Sequence, residues 1–361
     1  MTVRILVGDV REQLHKLADE SVHCIVTSPP YWGLRDYGVD GQIGLEASPF
    51  EFIATMVEVF EELRRVLRSD GTCWVNMGDS YAAGGQGAAA GPCKQDTNKG
   101  TLRLNRPRAA FPGFKPKDLM MMPHRLAIAL QDAGWWVRQD IVWAKPNPMP
   151  ESIKDRCTKA HEYLFLLTKS ERYYYDAEAI KEPVVGDPDA SRNRWDTKDY
   201  AAPGQKPQKR TSRGVGFGHG TDAADRQRER VTKVKVPGGW DRGEGAHGTI
   251  HRDGRAAPEY QEYESSGKRN KRSVWTIATH AFPDAHFATF PPELPENCIK
   301  AGCPVGGTVL DPFFGAGTTG LVADRLRRDC IGIELNPAYA EIARKRILAE
   351  SPLLADVKVA A

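Results

Sequence analysis

Asp311-Pro312-Phe313-Phe314-Gly315-Ala316-Gly317-Thr318-Thr319-Gly320 stands between an apolar run, Thr308-Val309-Leu310, and a stretch with helical spacing over residues 318–328. Strand, glycine turn and helix in that order form a ligand-holding corner of an α/β sheet. Glycine serves there because the backbone must turn tightly and approach a ligand closely. The glycines alone are a weak signal, since Gly315, Gly317 and Gly320 match the dinucleotide GxGxxG spacing only loosely. A second apolar run, residues 330–333, ends on Glu334, seventeen residues after Gly317. A carboxylate at such a strand end can accept hydrogen bonds from ribose hydroxyls.

Outward from this corner the chain alternates strand and helix. Residues 3–7 form a short apolar run ending in Gly8-Asp9, and residues 10–18 have helical spacing. Residues 22–26 are a second buried run, broken by Pro29-Pro30. Over residues 49–67 the apolar positions Phe52, Ile53, Met56, Val59, Phe60, Leu63 and Val66 mark an amphipathic helix, capped by Ser48 with Pro49 at its first position. Residues 71–77, 136–143 and 162–167 read as strands, and 117–133, 294–301 and 337–348 as helices. This alternation predicts an α/β sheet with helices on both faces and a ligand crevice at the carboxyl ends of its parallel strands.

Two stretches break the pattern. Residues 84–117 are rich in Gly, Ala and Pro and carry seven Lys or Arg against one Asp, which reads as a long basic loop. Residues 181–272 hold 20 Lys and Arg against 14 Asp and Glu, a surplus of six in a chain of net charge +3, so the positive charge is concentrated there. The expected organisation is therefore 1–180 and 273–361 as two parts of one α/β domain, with 181–272 as a loop-rich basic insert.

The second constellation is Thr27-Ser28-Pro29-Pro30-Tyr31-Trp32. The two prolines fix φ and remove two N–H donors, so the turn after the strand is stiff and rich in acceptors. That suits an NH₂ group, which offers two donors. The string resembles the tetrapeptide with which amino-methyltransferases grip an exocyclic amine, and residues 311–320 resemble their S-adenosylmethionine turn. The grip precedes the cofactor turn, which resembles the circularly permuted β class of prokaryotic and phage DNA amino-methyltransferases. Residues 74–79, 143–148, 161–163 and 286–339 read the same way.

The resemblance implies a Rossmann-like S-adenosylmethionine-dependent methyltransferase sheet, circularly permuted, with 181–272 as target recognition region. It implies catalytic roles for Ser28, Pro29, Pro30 and Tyr31. It places the cofactor against Asp9, Thr27, His286, Thr289, Phe290, Asp311, Pro312, Phe313, Gly315, Gly317, Thr318, Thr319 and Glu334. Taken alone, Asp9 is only a turn aspartate and His286 equally a structural histidine. The amine of cytosine or adenine is a poor nucleophile because its lone pair is delocalised into the ring. Hydrogen bonds from it to the Ser28 hydroxyl and the Pro29 carbonyl favour a tetrahedral nitrogen that attacks the methyl in line. Tyr31 would stack on the base. In a duplex that base must first be extruded.

In the resembled class a serine at the first motif position goes with N4-cytosine methylation and an aspartate with N6-adenine, so cytosine N4 is expected and adenine N6 is the alternative. RNA methylation, or a DNA-binding protein without catalysis, ranks lower. Trp32, Arg103, Arg106, Lys268, Arg269, Lys271 and Arg272 are the candidate DNA contacts. Double-stranded DNA is the expected partner, with a cognate restriction endonuclease as a candidate second one and the state left open between monomer and homodimer. The seven cysteines include no CxxC pair, and Cys298 and Cys303 beside His280 and His286 fit no common zinc spacing, so no metal is expected. Without a signal-peptide pattern or an apolar run long enough to span a bilayer, a cytoplasmic protein is expected.

Overall fold

Strand β2 (Val22–Thr27) is apolar from Cys24 to Val26, so it fits only a sheet covered on both faces, and the Pro29-Pro30 pair ends its ladder. The computed structural model describes residues 1–33, 38–82, 113–183, 268–279, 289–350 and 356–360. Its main sheet also contains β1 (Thr2–Val7), β3 (Leu67–Met77), β4 (Trp136–Ala144), β5 (His161–Thr168), β8 (Val274–Thr276), β9 (Thr308–Asp311), β10 (Asp329–Glu334) and β11 (Asp356–Ala360). The nine strands run in the order β11-β1-β10-β9-β2-β3-β5-β4-β8. From β11 to β3 neighbouring strands are parallel, while β5 runs antiparallel to both β3 and β4. Strands β2 and β9, from opposite ends of the sequence, are neighbours with Ile25 opposite Leu310.

The helices are α1 (Val10–His15), α2 (Pro49–Val66), α3 (Met122–Asp132), α4 (Glu293–Gly302), α5 (Thr318–Arg325) and α6 (Pro337–Glu350). One hydrophobic cluster joins α1, α2 and α3 to one face of the sheet, through Ile25, Leu310, Ile331 and Ile333. A second joins α4, α5 and α6 to the other, through Cys24, Val26, Val309 and Cys330. Alternate residues of β2, β9 and β10 thus feed opposite layers. Phe52, Met56, Val59, Phe60, Leu63 and Val66 of α2 are wholly buried, each stabilising the fold by roughly 1.5–3 kcal/mol through its loss of water contact. The Ser48 hydroxyl accepts from the Glu51 N–H and caps this helix, as its position before Pro49 predicts.

The chain divides into two compact units, Met1–Ile180 with Lys271–Ala361, and Lys181–Asn270. In the second unit a two-stranded ladder pairs β6 (Glu182–Pro183) with β7 (Lys268–Arg269).

Several boundaries differ from expectation. Helix α3 starts at Met122 rather than 117, because Lys117 and Met121 adopt left-handed φ of 71° and 55° and Pro123 opens the first turn. Helix α1 ends at His15, and α5 ends at Arg325, just before Arg327 turns left-handed at φ 60°. The short strands β8 and β11 are not anticipated by the sequence pattern. Most of the stretch 84–117 and of the insert 181–272 lies outside the described residues.

Candidate active site

Where β2 and β9 end side by side, the Thr27 hydroxyl donates to Asp311 Oδ1 at 2.9 Å, across 284 residues of sequence. The turn bearing Ser28 and the turn bearing Gly315 therefore leave neighbouring strands at one end of the sheet. Asp311 is buried, and its partners are all neutral. Oδ1 also accepts from the Phe313 N–H at 3.1 Å, and Oδ2 accepts from the Thr319 hydroxyl at 2.6 Å. Burial pushes its carboxyl up to about 6, with the Thr319, Phe313 and Thr27 hydrogen bonds opposing. Asp311 thus fastens the glycine turn and the helix start to β2.

The two glycines of the turn differ in use. Gly315 has φ 51°, and a methyl group built on it would meet nothing within 4 Å, so its backbone faces open space. Gly317 has φ 75° and begins α5, but a Cβ there would stand 2.8 Å from that of Ala343 on α6. Gly317 serves the packing of α5 on α6. The Thr318 hydroxyl accepts from Arg346 of α6 at 2.9 Å, so it too is held by that helix. Pro312 is buried, Phe313 packs on the α2 side of the core, and Phe290 packs on the opposite side. Thr289 is half-buried. His286 lies outside the described residues, as do Arg103 and Arg106.

Beside Gly315 stands the carboxylate of Glu334, at the end of β10. Its Oε2 accepts from the Gly315 N–H at 2.7 Å and its Oε1 from the Asn336 N–H at 2.9 Å. Burial raises its pKa, and those two N–H groups counter the shift. Each oxygen keeps a lone pair for a further donor. On the adjoining strand Gly8 donates to the Glu334 carbonyl at 3.0 Å, and Asp9 caps α1. The Arg11 guanidinium holds the Asp9 carboxyl below its usual range. An open glycine backbone beside a buried carboxylate with spare lone pairs fits the ribose and amino-acid portions of S-adenosylmethionine.

The same end of the sheet carries a polar network that the sequence reading did not assign. The Tyr31 phenol donates to Glu162 Oε2 at 2.9 Å. Asn76 Nδ2 donates to the same oxygen at 3.2 Å, and Lys145 Nζ forms an ion pair with Oε1 at 2.5 Å. Burial, followed by the Glu162 charge, pushes the pKa of this phenol well above the ordinary value. These residues share one rim because β5 runs antiparallel to β3 and β4. Its first residues, His161 and Glu162, therefore lie at the same end as Gly78, just past β3, and Lys145, just past β4. A Cβ on Gly78 would stand 2.8 Å from the Tyr31 ring. The available signal was Asn76 and Glu162 themselves, polar residues inside or beside apolar strands that demand buried partners.

Trp32 is half-buried, and its indole N–H donates to the Glu46 carbonyl at 3.1 Å. Arg269 pairs with Glu182 at 2.8 Å, Lys271 lies over the Trp275 ring, and Lys268 and Arg272 are exposed. Burial raises the thiol pKa values of Cys24, Cys298 and Cys330, and that of Cys303 to about 12. Among the described residues no three metal-ligating side chains converge, and no helix is long and apolar enough to cross a membrane.

A mostly parallel sheet with helices on both faces and a glycine corner at its centre is the methyltransferase architecture. Solved structures with this fold include the PvuII DNA methyltransferase (cytosine-N4-specific), with TM-score 0.55 and 17% identity over 99% of this chain and 95% of that one. TTHA0409 of Thermus thermophilus, a putative DNA modification methylase complexed with S-adenosyl-L-methionine, aligns with TM-score 0.52 and 20% identity over the whole of both chains. The N6/N4 methyltransferase family model, described as DNA methylase, matches residues 22–345, and the chain belongs to that family. Its relatives include the type II methyltransferase M.SmaI of Serratia marcescens, 41% identical over 96% of this chain and 90% of the relative. M.Cfr9I of Citrobacter freundii is 42% identical over 95% and 87%.

Proposed function

We propose that this DNA methylase acts on the exocyclic N4 of cytosine at a specific site in double-stranded DNA. The observation that carries the proposal is the Thr27–Asp311 hydrogen bond, which ties the Ser28 turn to the glycine turn. When bound, S-adenosylmethionine supplies an electrophilic methyl group on its sulfonium. Gly315 lets the chain approach that cofactor closely, Glu334 accepts from its ribose hydroxyls, and Asp9, Thr289 and Phe290 line its ends. The Ser28 hydroxyl and the Pro29 carbonyl accept hydrogen bonds from the two amine N–H groups and turn the nitrogen lone pair toward the methyl. The Tyr31 ring covers one face of the extruded base, a contact of ~1–3 kcal/mol. A hydroxyl at position 28, where a carboxylate is the adenine-associated choice, supports cytosine.

The basic insert 181–272 is the proposed target recognition region, and Lys268 and Arg272 are exposed cations at its edge. The relatives named type II methyltransferases support pairing with a restriction endonuclease of the same specificity. Mass spectrometry of nucleosides from plasmid methylated by the purified protein tests the reading. N4-methylcytosine is the expected product. N6-methyladenine would change the base, and unmodified DNA with labelled RNA would overturn the assignment.

A further inference from the structure

The Tyr31 ring is held in two ways from outside its own turn. Its phenol oxygen lies on the long axis of the ring and donates to Glu162 Oε2 at 2.9 Å, which sets the direction of that axis. Its edge enters the space left by the missing side chain of Gly78, where a Cβ would stand 2.8 Å from Tyr31 Cε2. That carbon lies off the axis, so the second contact sets the plane of the ring. Glu162 is itself held. Lys145 Nζ pairs with Oε1 at 2.5 Å and rests on the Trp143 ring, 4.3 Å from its centre. Asn76 Nδ2 donates to Oε2 and to the Tyr163 carbonyl, each at 3.2 Å. A carboxylate has lone pairs for all three donors, whereas a carboxamide has one acceptor oxygen for which lysine and phenol would compete.

We propose that Glu162 is a positioning residue that holds the Tyr31 ring as the platform on which the extruded base is captured. The inference rests on the functional reading above and deepens it. A base stacks on a ring of fixed direction and plane, and a ring that must be ordered at the moment of capture binds it more weakly. The Glu162 network orders the ring beforehand. Its contribution therefore falls on the step in which the base leaves the duplex and enters the site. Methyl transfer to a base already in place does not depend on it. Extrusion is costly for a paired base and least so for a mismatched one, which separates the two steps.

The test uses the full-length protein, S-adenosylmethionine and two cognate duplexes, one fully paired and one whose target cytosine faces a non-pairing base. Single-turnover methyl transfer and cofactor affinity are the readouts. On the paired duplex Glu162→Gln should slow transfer on the order of 10-fold, the size of one hydrogen bond to a charged group. On the mismatched duplex the loss should stay under about threefold, because the base is already free to enter. Cofactor affinity should change less than about twofold, since Asp311 and Glu334 hold the glycine turn independently of Glu162. Tyr31→Phe keeps the ring, frees its axis and should show the same contrast between duplexes. In the Tyr31→Phe background Glu162→Gln should cost less than about threefold further.

An equal loss on both duplexes would move Glu162 to the transfer step or to general support of the fold, and would overturn the proposal. Tyr31→Phe at the unaltered rate on the paired duplex would do the same, as would losses that add in the double variant. If Glu162→Gln does not fold, Tyr31→Phe decides alone, because it leaves Glu162, Lys145 and Asn76 in place. Absence of any transfer to either duplex by the unaltered protein is a different failure, that of the proposed function itself.

Discussion

Residues 28–31 carry two prolines and a phenol joined to a carboxylate with a lysine behind it, whereas residues 312–317 carry two glycines at positive φ beside an aspartate that meets only neutral donors. On the first side the backbone is stiffened and the proposed chemistry falls to side chains. On the second the side chains are withdrawn and the backbone is the proposed binding surface. The first turn should therefore fail when single atoms are exchanged, and the second when volume is added. Two acids follow the same division. Glu162 has a cation beside it, while Asp311 has none.

The largest expected effect is on the first turn. Ser28→Ala should reduce turnover by about 10²–10³-fold or more, of order the loss of one aimed polar group, while DNA affinity stays within about threefold. Matching losses of turnover and binding would make Ser28 structural instead. On the second turn, Asp311 should impose a pH dependence on stability. Its folded pKa of about 6 lies above the ordinary 3.8, so between these values the folded state holds a proton that the unfolded state has lost. Stability then falls as pH rises through that window and levels off above it, by up to about 3 kcal/mol. Asp311→Asn keeps an acceptor for Thr27 and Phe313 and a donor for Thr319. Its denaturation midpoint should lack the fall between about pH 4 and 6, and an unchanged slope would remove Asp311 as the cause.

The glycines give a smaller and more discriminating contrast. Gly317→Ala meets Ala343 at 2.8 Å and should cost about 1–3 kcal/mol in urea denaturation. Gly315→Ala meets nothing and should cost about 1 kcal/mol for its backbone alone, yet weaken cofactor binding more than Gly317→Ala does. Reversed cofactor effects would exchange the two roles. The smallest effect lies outside both turns. Lys268→Glu with Arg272→Glu should lower the salt slope of DNA binding by about two, if each cation meets one phosphate. An unchanged slope would take both away from the interface.

Much of the sheet could be read from the chain because runs such as residues 24–26 and 330–333 are apolar throughout, which only a doubly covered strand tolerates. Helix α2 carried its own cap and periodicity. The edge strands β8 and β11 left no such trace, being short and largely exposed. The two motifs marked the two turns that β2 and β9 bring together, but the difference between Gly315 and Gly317 depends on where α6 packs, which the local sequence does not encode. The Glu162 network was hidden for a related reason. Tyr31 and Glu162 are 131 residues apart, and only the reversal of β5 brings them to one rim.

The pairing of β2 with β9 also governs when this protein can first work. Strand β9 leaves the ribosome long after β2, and the 284 residues between Thr27 and Asp311 take roughly 15–60 s to translate at about 5–20 residues per second. During that interval the nascent chain presents β2 as an open edge, a template for wrong pairing. Contacts of such long range also close slowly. Newly made molecules should thus depend on chaperones while they wait, and they gain the power to mark DNA only after β9 has emerged.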